Sequence, residues 1–552
     1  MHFPELLDIL FDERGILLEN RGSFLNPDYS KLHSPMLLPD MEKARDRVIQ
    51  AIKDNEHIVV FSDYDCDGIP GAVVLSDFFR RIRYENVSFY IPHRHLEGFG
   101  LNFDAIDEIE SRGAKLIITI DCGIADIEEV RVAQKKGIDV IITDHHQQKP
   151  ELPPAYTVVN PNRTDSTYPF KGICGSATVF KLVQAVYEKE SFGVKPGMEK
   201  WSLDMVGLAT FSDMVPLIDE NRIFAKFGLE VLKKSPRPGL AALSRKLNLD
   251  RKNMCEDDVT FMITPRINAA SRMGVPKDAF DLLRTEKLEE AEGLALHLEK
   301  INNERKGLVA SMVKEAKANI EKRQNMLEVI VVGSPEWRPA VVGLVANSLV
   351  EEYNRPAFVW GRDGAGHHPS SPMVLKGSCR SYNGYNLFLL MSAIGEAFIE
   401  FGGHPGAGGF SVTLENLTTL EEKLSKALKS LKAVEPQLRG STAKWIKIAD
   451  IGENLWNTIS PFAPFGMGNP KPIFDIKGEI KSFRQFGKEN NHLELVLTDG
   501  KKEVKAISFF SSPTAYSLLP TTKICTVRAN LEKSYFRNRP ELRLRIVDII
   551  SA

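Results

Sequence analysis

The chain has 552 residues, 43% of them hydrophobic, and its 71 basic residues nearly balance 73 acidic ones. This length predicts three or four domains with ordinary hydrophobic cores. A net charge of −2 provides no overall field that would attract a polyanion, so any nucleic-acid surface must be local. No apolar run reaches the roughly 20 residues of a membrane span, and the N-terminal segment does not resemble a signal peptide.

Six cysteines lie far apart along the chain without any CxxC spacing. This distribution indicates neither a disulfide framework nor a thiolate zinc site. Together with the lack of a signal-peptide pattern, it predicts a reducing, cytoplasmic compartment.

Five short β-branched runs alternate with amphipathic stretches in the first third of the chain. The runs cover residues 57–65, 87–94, 115–123, 138–146 and 155–162, and helical patterns lie between them at 71–83, 103–113 and 127–137. Nearly continuous apolar strands that alternate with helices are typical of a parallel sheet covered on both faces. We therefore predict an N-terminal extension, 1–40, followed by an α/β domain, 41–225.

A mostly helical connector is predicted for residues 226–325, because its longest helical pattern, 289–324, contains no proline. A second strand–helix–strand pattern follows at 326–333, 340–353 and 356–361. It indicates another α/β domain, 326–440, which includes a glycine-rich segment, 402–410, and a helix at 422–432.

Residues 441–552 change to period-two alternation, which predicts a small β-barrel. Basic residues outnumber acidic ones between Lys477 and Arg545, and aromatic residues lie among them: Phe483, Phe486, Tyr535 and Phe536. Grooves for single-stranded nucleic acid combine rings that stack on bases with cations that follow phosphates. An aromatic core beneath a solvated basic face explains the same pattern, so the sequence leaves both interpretations open.

Acidic and histidine residues follow three of the predicted strands. They are Asp63, Asp65 and Asp67 after the first strand, Asp121 after the third, and Asp144, His145 and His146 after the fourth. Because parallel strands end at one edge of their sheet, these side chains are expected to converge. One such aspartate is usually a turn former or helix cap, but several carboxylates buried together need cations to remain ionised.

The residue types favour manganese or magnesium over zinc, since oxygen ligands outnumber imidazoles. Two divalent cations bridged by one carboxylate can activate water for attack on a phosphorus or carbonyl centre. The sequence therefore predicts a hydrolase with two cations, Mn²⁺ or Mg²⁺.

Four segments resemble, in order, the motifs of the DHH phosphoesterase family. They are DYDCDG at 63–68, IDCG at 120–123, DHH at 144–146 and ATFSDMVP at 209–216. Three later segments, PRINAASRMG at 265–274, KGSCRSYNGYNL at 376–387 and GGHPGAGGF at 402–410, resemble the single-strand-specific DNA exonucleases of that family. The resemblance extends from about residue 40 to the end, and it implies an OB-type (oligonucleotide/oligosaccharide-binding) fold for the β-barrel.

The resemblance implies two sets of metal ligands that share one carboxylate. Asp65 and Asp121 hold the first cation, and the second is held by Asp67, Asp121, His145 and Asp213. Asp121 is then the bridging ligand.

Two further positions, His146 and Phe61, bear on the same site. The resemblance assigns His146 to the scissile phosphate or the leaving oxygen. Phe61 stands where many family members have a histidine, so the first cation lacks a nitrogen ligand. Either Asp63 or water takes that place, or Asp63 points elsewhere.

The resemblance also implies substrate-binding residues, including a pocket for a terminal 5′-phosphate. They are Arg266, Asn268 and Arg272 in the first of the later segments, and Ser378, Arg380, Gly403 and His404 in the other two. Arginine pairs well with phosphate, and glycine allows backbone amides to approach an anion. Ordinary surface arginines are the alternative for the first segment. Without the resemblance, a glycine-rich turn with a hydrogen-bonded histidine is the better interpretation of the last one. The segment 265–274 is too rich in small residues for a typical amphipathic helix.

These features predict a metal-dependent exonuclease that hydrolyses phosphodiester bonds of single-stranded DNA from the 5′ end, releasing mononucleotides, in DNA repair and recombination. The polarity is implied by the resemblance alone. One alternative is a phosphodiesterase for short oligoribonucleotides or cyclic dinucleotides, which has no need of the connector and barrel. Another is a non-catalytic DNA-binding scaffold, which has no reason to retain a costly acidic cluster. The expected partners are a single-strand-binding protein and a helicase, with a monomer as the default state.

Overall fold

The computed structural model describes residues 3–323, 325–362, 374–431, 442–487, 490–509, 523–535 and 540–551. Its first sheet consists of β1 Ile58–Ser62, β2 Val87–Tyr90, β3 Leu116–Ile120, β4 Asp139–Thr143 and β5 Thr157–Val159. All five strands are parallel, in the order β2-β1-β3-β4-β5. Every position of β1 and β3 is buried, which is why these segments are continuously apolar.

Nine α-helices lie between residues 3 and 234 of the described chain, and the last of them extends into the predicted connector. They are α1 Phe3–Glu13, α2 Arg21–Leu25, α3 Met41–Lys53, α4 Gly68–Arg81, α5 Phe103–Ser111, α6 Ile127–Lys135, α7 Gly175–Lys189, α8 Leu203–Ser212 and α9 Asp219–Lys234. Helices α3, α4 and α7 cover one face of the sheet, and α5 and α6 cover the other. The predicted α/β class with a parallel sheet is confirmed.

The connector contains α10 Pro238–Lys246, a π-helical turn Asp258–Ile263, α11 Thr264–Arg272, α12 Pro276–Arg284 and the long helix α13 Leu288–Glu321. The first half of α13 packs in the core of the first domain through Leu298 and Ile301, and the second half packs on the next domain through Met312 and Ile320. Segment 264–272 is helical despite its small residues, because they are buried at close helix–helix contacts.

The second α/β domain consists of β6 Ile330–Gly333, α14 Pro339–Tyr353, β7 Ala357–Arg362, β8 Val374–Arg380, α15 Leu387–Ser392, β9 Glu400–His404, β10 Ala407–Thr413 and α16 Leu414–Ser430. Its sheet has the order β6-β7-β8-β10-β9. Only β6 and β7 are parallel; the glycine-rich segment forms the antiparallel hairpin β9–β10.

The C-terminal domain contains β11 Lys444–Ile446, α17 Glu453–Ile459, β12 Phe474–Phe486, β13 His492–Thr498, β14 Glu503–Ser508, β15 Ile524–Ser534 and β16 Glu541–Ser551. Pairing of β12 with β15 closes a five-stranded barrel, as predicted. Leu6, Leu10 and Phe11 of α1 lie in the core of this domain beside Phe462. The N-terminal residues therefore pack on the C-terminal barrel, although no sequence pattern indicated this contact.

None of the helices within the described ranges is both long enough and apolar enough to cross a membrane.

Candidate active site

The carboxyl edge of the first sheet brings the predicted ligands together. Three groups have potential ligand atoms within 4.8 Å of one another: Asp63, Asp65 and Asp121; Asp67, His145 and Asp213; and Asp121, His145 and His146. Asp213 does not follow a strand. It caps the C-terminal end of α8, which places it at the same edge of the sheet. The groups overlap at Asp121 and His145, so they form one continuous cluster.

Backbone N–H groups hold two of these carboxylates from behind. Asp65 Oδ1 accepts hydrogen bonds from the N–H of Asp67 at 2.7 Å and of Gly68 at 3.2 Å. The Asp67 carboxylate accepts the N–H groups of Gly175 at 2.6 Å and Ser176 at 2.7 Å. The positive end of α7 therefore faces the cluster, and the ligand loop is rigidly placed before any cation binds.

Gly175 permits the close approach of α7 to the bridging candidate Asp121. A Cβ atom at Gly175 would lie only 2.6 Å from the Cβ of Asp121. The sequence analysis did not single out Gly175 or Ser176. The only available signal was a pair of small residues at the start of a helical pattern.

Asp121 has an unusual backbone and an unsatisfied side chain. Its φ of 60° lies in the left-handed region, which a non-glycine residue rarely adopts without a compensating contact. Its N–H donates to the carbonyl of Thr143 at 2.9 Å. Oδ1 of Asp121 and Oδ1 of Asp63 are both buried without a hydrogen-bond partner among the described residues. Buried carboxylate oxygens in this state are suited to a cation.

The electrostatics of the carboxylates agree with that assignment. Burial raises the pKa of Asp121 well above its usual range, and the charges of Asp67 and Asp65 raise it further. Burial, followed by the same two neighbours, also raises the pKa of Asp213, and burial followed by Asp65 raises that of Asp63. Divalent cations would neutralise this repulsion, so the residues present fit two cations with mainly oxygen ligands.

The two histidines differ in charge. Burial lowers the pKa of His145, which keeps its ring neutral, and its Nε2 lies 3.1 Å from Asp121 Oδ1. Burial alone would also lower the pKa of His146, but the 2.8 Å hydrogen bond from Nδ1 to Asp144 and the negative charges of Asp144, Asp213 and Asp63 together outweigh it and raise the pKa to about 9. His145 is therefore suited to bind a metal, and His146 to contact an anion.

Phe61 does not reach the cluster. Its side chain is fully buried, and its ring stacks on Tyr90 with centroids 5.4 Å apart. Asp63 instead groups with Asp65 and Asp121. Of the interpretations left open by the sequence, this geometry favours Asp63 as the third protein ligand of the first cation.

Four arginines, from a loop, two helices and a strand, form a positive group near the cluster, and none of them makes an ion pair with another described residue. Burial, followed by repulsion from Arg94, Arg305 and Arg380, lowers the pKa of Arg272 to about 9. Nε of Arg305 is buried and lacks a hydrogen-bond partner in the described structure. Such a group is suited to a phosphate, which supplies the missing negative charge. Arg305 of α13 was missed because its helical pattern looked like an ordinary solvated face.

The second α/β domain presents the remaining predicted pocket residues. Arg380 and Ser378 lie on β8, paired with Ala407 and Gly409 of the glycine-rich hairpin. Gly403 has a φ of 134°, and His404 ends β9. Burial lowers the pKa of His404, and the positive charge of His146 contributes to that shift. The hairpin therefore faces the catalytic edge.

Two predicted phosphate-binding residues have partners within the protein. Arg266 is 5% exposed, and its Nε donates to Glu299 of α13 at 2.7 Å. Asn268 Oδ1 accepts the N–H of Cys66 at 2.9 Å, which supports the loop between Asp65 and Asp67. These contacts favour positioning roles for both residues, in contrast to the expected contact with substrate.

Exposed apolar side chains flank the cluster. The Phe99 ring is 50% exposed and lies 5.5 Å from the His146 ring. On the side of Asp213, Met214 is 61% and Phe261 67% exposed, and they line a cavity of about 230 Å³ between the first domain and the barrel. Sequence analysis missed these residues because single exposed apolar side chains have no sequence signature.

The sheet edge, its ligand cluster and the facing basic domain define a metal-dependent phosphoesterase of the DHH class with an added OB-type barrel. The DHH family, N-terminal domain, matches residues 57–210, the DHHA1 domain matches 326–433, and the RecJ OB domain matches 444–548. The chain is 33% identical over 551 residues to the single-stranded-DNA-specific exonuclease RecJ of Bacillus subtilis, a match that covers 99% of this chain and 68% of that protein. The chain therefore belongs to the RecJ family.

Other relatives extend this similarity. The chain is 29% identical to RecJ of Haemophilus influenzae, covering 99% of this chain and 96% of that protein. RecJ from Thermus thermophilus, solved with Mn²⁺, shares the fold over 99% of this chain and 76% of its own, with a TM-score of 0.80 at 24% identity. An exonuclease RecJ bound to manganese covers 72% of this chain and 96% of its own, with a TM-score of 0.60 at 28% identity.

Proposed function

We propose that this protein is a divalent-metal-dependent exonuclease that hydrolyses phosphodiester bonds of single-stranded DNA from the 5′ end. It releases mononucleotides, and it acts in DNA repair and recombination. The observation that carries the proposal is the buried carboxylate and imidazole cluster facing a group of arginines that form no ion pair within the described residues. The single-stranded-DNA-specific exonucleases to which the chain is similar support the same substrate.

In this proposal, two cations occupy the cluster. One is held by Asp63, Asp65 and Asp121, and the other by Asp67, Asp121, His145 and Asp213. Bound Mn²⁺ or Mg²⁺ supplies Lewis acidity, which neutralises the carboxylates and stabilises negative charge on the phosphate oxygens. Solved RecJ structures with Mn²⁺ and with Mg²⁺ support both ions.

His146 interacts with the phosphate directly. Because its Nδ1 is held by Asp144, the charged ring has only its Nε2–H available to a substrate. It donates that hydrogen bond to the scissile phosphate or gives the proton to the leaving oxygen. Asp144 acts through His146, since it fixes the ring orientation and favours the charged form.

The basic group selects the chain end. Arg272, Ser378, Arg380 and His404 bind the terminal 5′-phosphate together with the backbone at Gly403. Arg305, whose Nε has no hydrogen-bond partner in the described structure, joins them. Because α13 connects the two domains rigidly, the separation between this pocket and the cations sets which linkage is cut.

The barrel holds the strand further from its end. Phe483 is 44% exposed, and Phe486 contacts the rings of His492 and Phe509. The Arg545 guanidinium lies 4.1 Å from the Phe509 ring centroid. Rings and cations of this kind suit stacked bases and phosphates. Phe536, one of the aromatic residues noted in the sequence, lies outside the described residues.

The function is tested with 5′-phosphorylated single-stranded DNA, its duplex, a matched RNA and a cyclic dinucleotide, each with Mn²⁺, Mg²⁺ or a chelator. We expect mononucleotides from the single-stranded DNA only when a cation is present. Faster turnover of the RNA or cyclic dinucleotide would favour a small-substrate phosphodiesterase. Binding without turnover of any substrate would favour a scaffold.

We further propose that the protein acts in the cytoplasm as a monomer with a single-strand-binding protein and a helicase. The family resemblance supports these partners, and the six unpaired cysteines support a reducing compartment. Sedimentation of the protein with and without a single-strand-binding protein tests both points. A stable homodimer, or no complex at any concentration, would contradict them.

A further inference from the structure

The segment that follows Asp213 has an unfavourable backbone conformation. Asp213 caps α8 by donating its N–H to the carbonyl of Ala209 at 2.9 Å. Met214 then adopts a φ of 55°, a left-handed conformation that glycine usually supplies at a helix end. A methionine remains there only when contacts on both sides impose the turn. Helix α8 provides these contacts on one side, so the other side must lie downstream.

A loop that leads into the barrel provides the downstream contact. We call residues 461–470 the docking loop. The N–H of Leu217 donates to the carbonyl of Met467 at 2.7 Å. A Cβ at Gly466 would lie 2.8 Å from Leu217 Cδ1, and one at Gly468, where φ is 72°, would lie 3.3 Å from Pro216 Cβ. The docking loop therefore lies directly against the segment that carries Asp213.

Buried polar side chains fix the docking loop itself. Arg222 of α9 is 2% exposed, and its guanidinium donates to the carbonyls of Phe24, Pro461, Ala463 and Pro464. Asn469 is fully buried and donates to the carbonyls of Phe462 and Pro464, while it accepts a hydrogen bond from Arg14. These hydrogen bonds connect the docking loop to the first domain and to the N-terminal segment, and the chain continues from the loop into the barrel.

Asp213 is the ligand candidate that most needs such support. Asp65 and Asp67 are held by backbone N–H groups, and His145 follows a buried strand. The side chain of Asp213 is 30% exposed, and its Oδ2 lies 3.7 Å from His145 Nε2. Asp213 lies directly before the turn at Met214, at the point where the chain leaves α8.

We propose that the docking loop is a positioning element of the metal centre. By holding Leu217, it imposes the turn at Met214 and directs Asp213 toward the second cation. The C-terminal domain therefore contributes to metal binding as well as to strand binding. This inference rests on the proposed function, since it assigns Asp213 to the second cation.

The test compares two glycine variants in the full-length protein. Gly468→Ala inserts a methyl group against Pro216 and Leu217. Gly500→Ala is the matched control, because Gly500 lies in the same domain at a φ of 86° but has no atom within 4 Å of an added Cβ. Both variants incur backbone strain at positive φ, and only Gly468→Ala disturbs the contact with Pro216 and Leu217.

Two quantities are measured for each variant. Mn²⁺ binding is titrated by the paramagnetic resonance of free Mn²⁺, and turnover is measured on a 5′-phosphorylated dinucleotide, the shortest substrate with one scissile linkage.

We expect Gly468→Ala to weaken one of two Mn²⁺ sites about tenfold and to lower dinucleotide kcat by a similar factor. Gly500→Ala should match the wild type in both. In an Asp213→Asn background, Gly468→Ala should cause no further loss of Mn²⁺ affinity, because the docking loop acts through Asp213.

Wild-type Mn²⁺ binding by Gly468→Ala, or an equal additional loss in the Asp213→Asn background, overturns the proposal. If Gly468→Ala does not fold, as judged by thermal unfolding, Gly466→Ala tests the same contact from the Leu217 side. If the wild type fails to cut single-stranded DNA, the proposed function is contradicted. The Mn²⁺ titrations still test the role of the docking loop in that case.

Discussion

The ligand cluster, here called the acidic wall, and the group of four arginines, here called the basic wall, are built in different ways. The acidic wall is the edge of one parallel sheet, where short loops after the neighbouring strands β1, β3 and β4 carry all the carboxylates except Asp213, which lies at the end of α8. The basic wall collects Arg94, Arg272, Arg305 and Arg380 from a loop, two helices and a strand in three parts of the chain. The acidic wall follows from local motifs, whereas the basic wall exists only when the domains are assembled.

The pKa values of the two walls are shifted in opposite directions. Burial and mutual repulsion raise the pKa values of Asp121 and Asp213, and burial with repulsion lowers the pKa of Arg272. The walls compensate each other in part, since Arg94 lowers the pKa of Asp63 and Asp65 raises that of Arg272, but the shifts remain. A ligand of opposite sign would therefore stabilise each wall. Divalent cations provide positive charge to the acidic wall, and a phosphodiester provides negative charge to the basic wall. Mutations in one wall at a time can separate the two effects.

Removing the shared carboxylate of the acidic wall should have the largest effect. Asp121→Asn is expected to lower kcat at least about a thousandfold, because both proposed cation sites lose a ligand. Strand binding by the basic wall should persist, which fluorescence anisotropy in Ca²⁺ measures. The control is Asp107→Asn on α5, whose carboxylate is 65% exposed. Retained turnover by Asp121→Asn would contradict the bridging role.

Removing one arginine from the basic wall should change end recognition more than chemistry. Arg380→Ala is expected to reduce the preference for a 5′-phosphate over a 5′-hydroxyl about tenfold, because one charge-assisted contact is lost. The kcat on a 5′-hydroxyl substrate should change little. Arg245→Ala removes an exposed arginine of α10 and serves as the control. An equal loss on both substrates would place Arg380 outside the phosphate pocket.

The raised pKa values of the acidic wall predict that Mn²⁺ stabilises the protein by an amount that depends on pH. Carboxyl pKa values that are raised in the folded state stabilise it at low pH, and this contribution is lost as pH rises through the folded values. The metal-free protein should therefore lose stability from about pH 4 upward, and Mn²⁺ should restore it. We expect Mn²⁺ to raise Tm by about 5 °C more at about pH 7.5 than at about pH 5.5, measured by calorimetry.

A separate carboxyl adds to the same pH dependence. Burial raises the pKa of Asp126 to about 7, although Asp126 belongs to none of the ligand groups. Asp126→Asn removes that contribution while leaving the cluster intact. The pH-dependent Mn²⁺ response should persist in this variant, and its disappearance would assign the effect to Asp126.

The smallest effect is expected on the barrel. Phe483→Ala should weaken binding of long single strands about fivefold, since one base loses a stacking partner. Activity on a dinucleotide should not change. Phe483→Trp keeps an aromatic face and should retain long-strand affinity, which anisotropy titrations compare. Equal binding by the alanine and tryptophan variants would favour the interpretation of the barrel aromatics as packing residues.

Sequence reasoning succeeded where function depends on a short stretch of chain. The runs at 57–65, 115–123 and 138–146 contain β1, β3 and β4, and the residues after them form the cluster. For Arg266 and Asn268 the motif predicts a contact with substrate, and in the structure their side chains contact Glu299 of α13 and the ligand loop. A motif identifies which residues matter, but partners distant in sequence decide whether a side chain faces a ligand or the protein.

The sequence by itself determined the fold class, the barrel and the residues of the acidic edge, because strand periodicity and strand-end carboxylates are local properties. Only the tertiary structure brought Asp213 to the acidic wall and Arg305 to the basic wall, packed α1 into the barrel and placed the docking loop against Leu217. The contacts of α1 with the barrel and of the docking loop with Leu217 join segments hundreds of residues apart. They arise from burial of apolar faces and satisfaction of buried polar groups, which depend on the assembled chain.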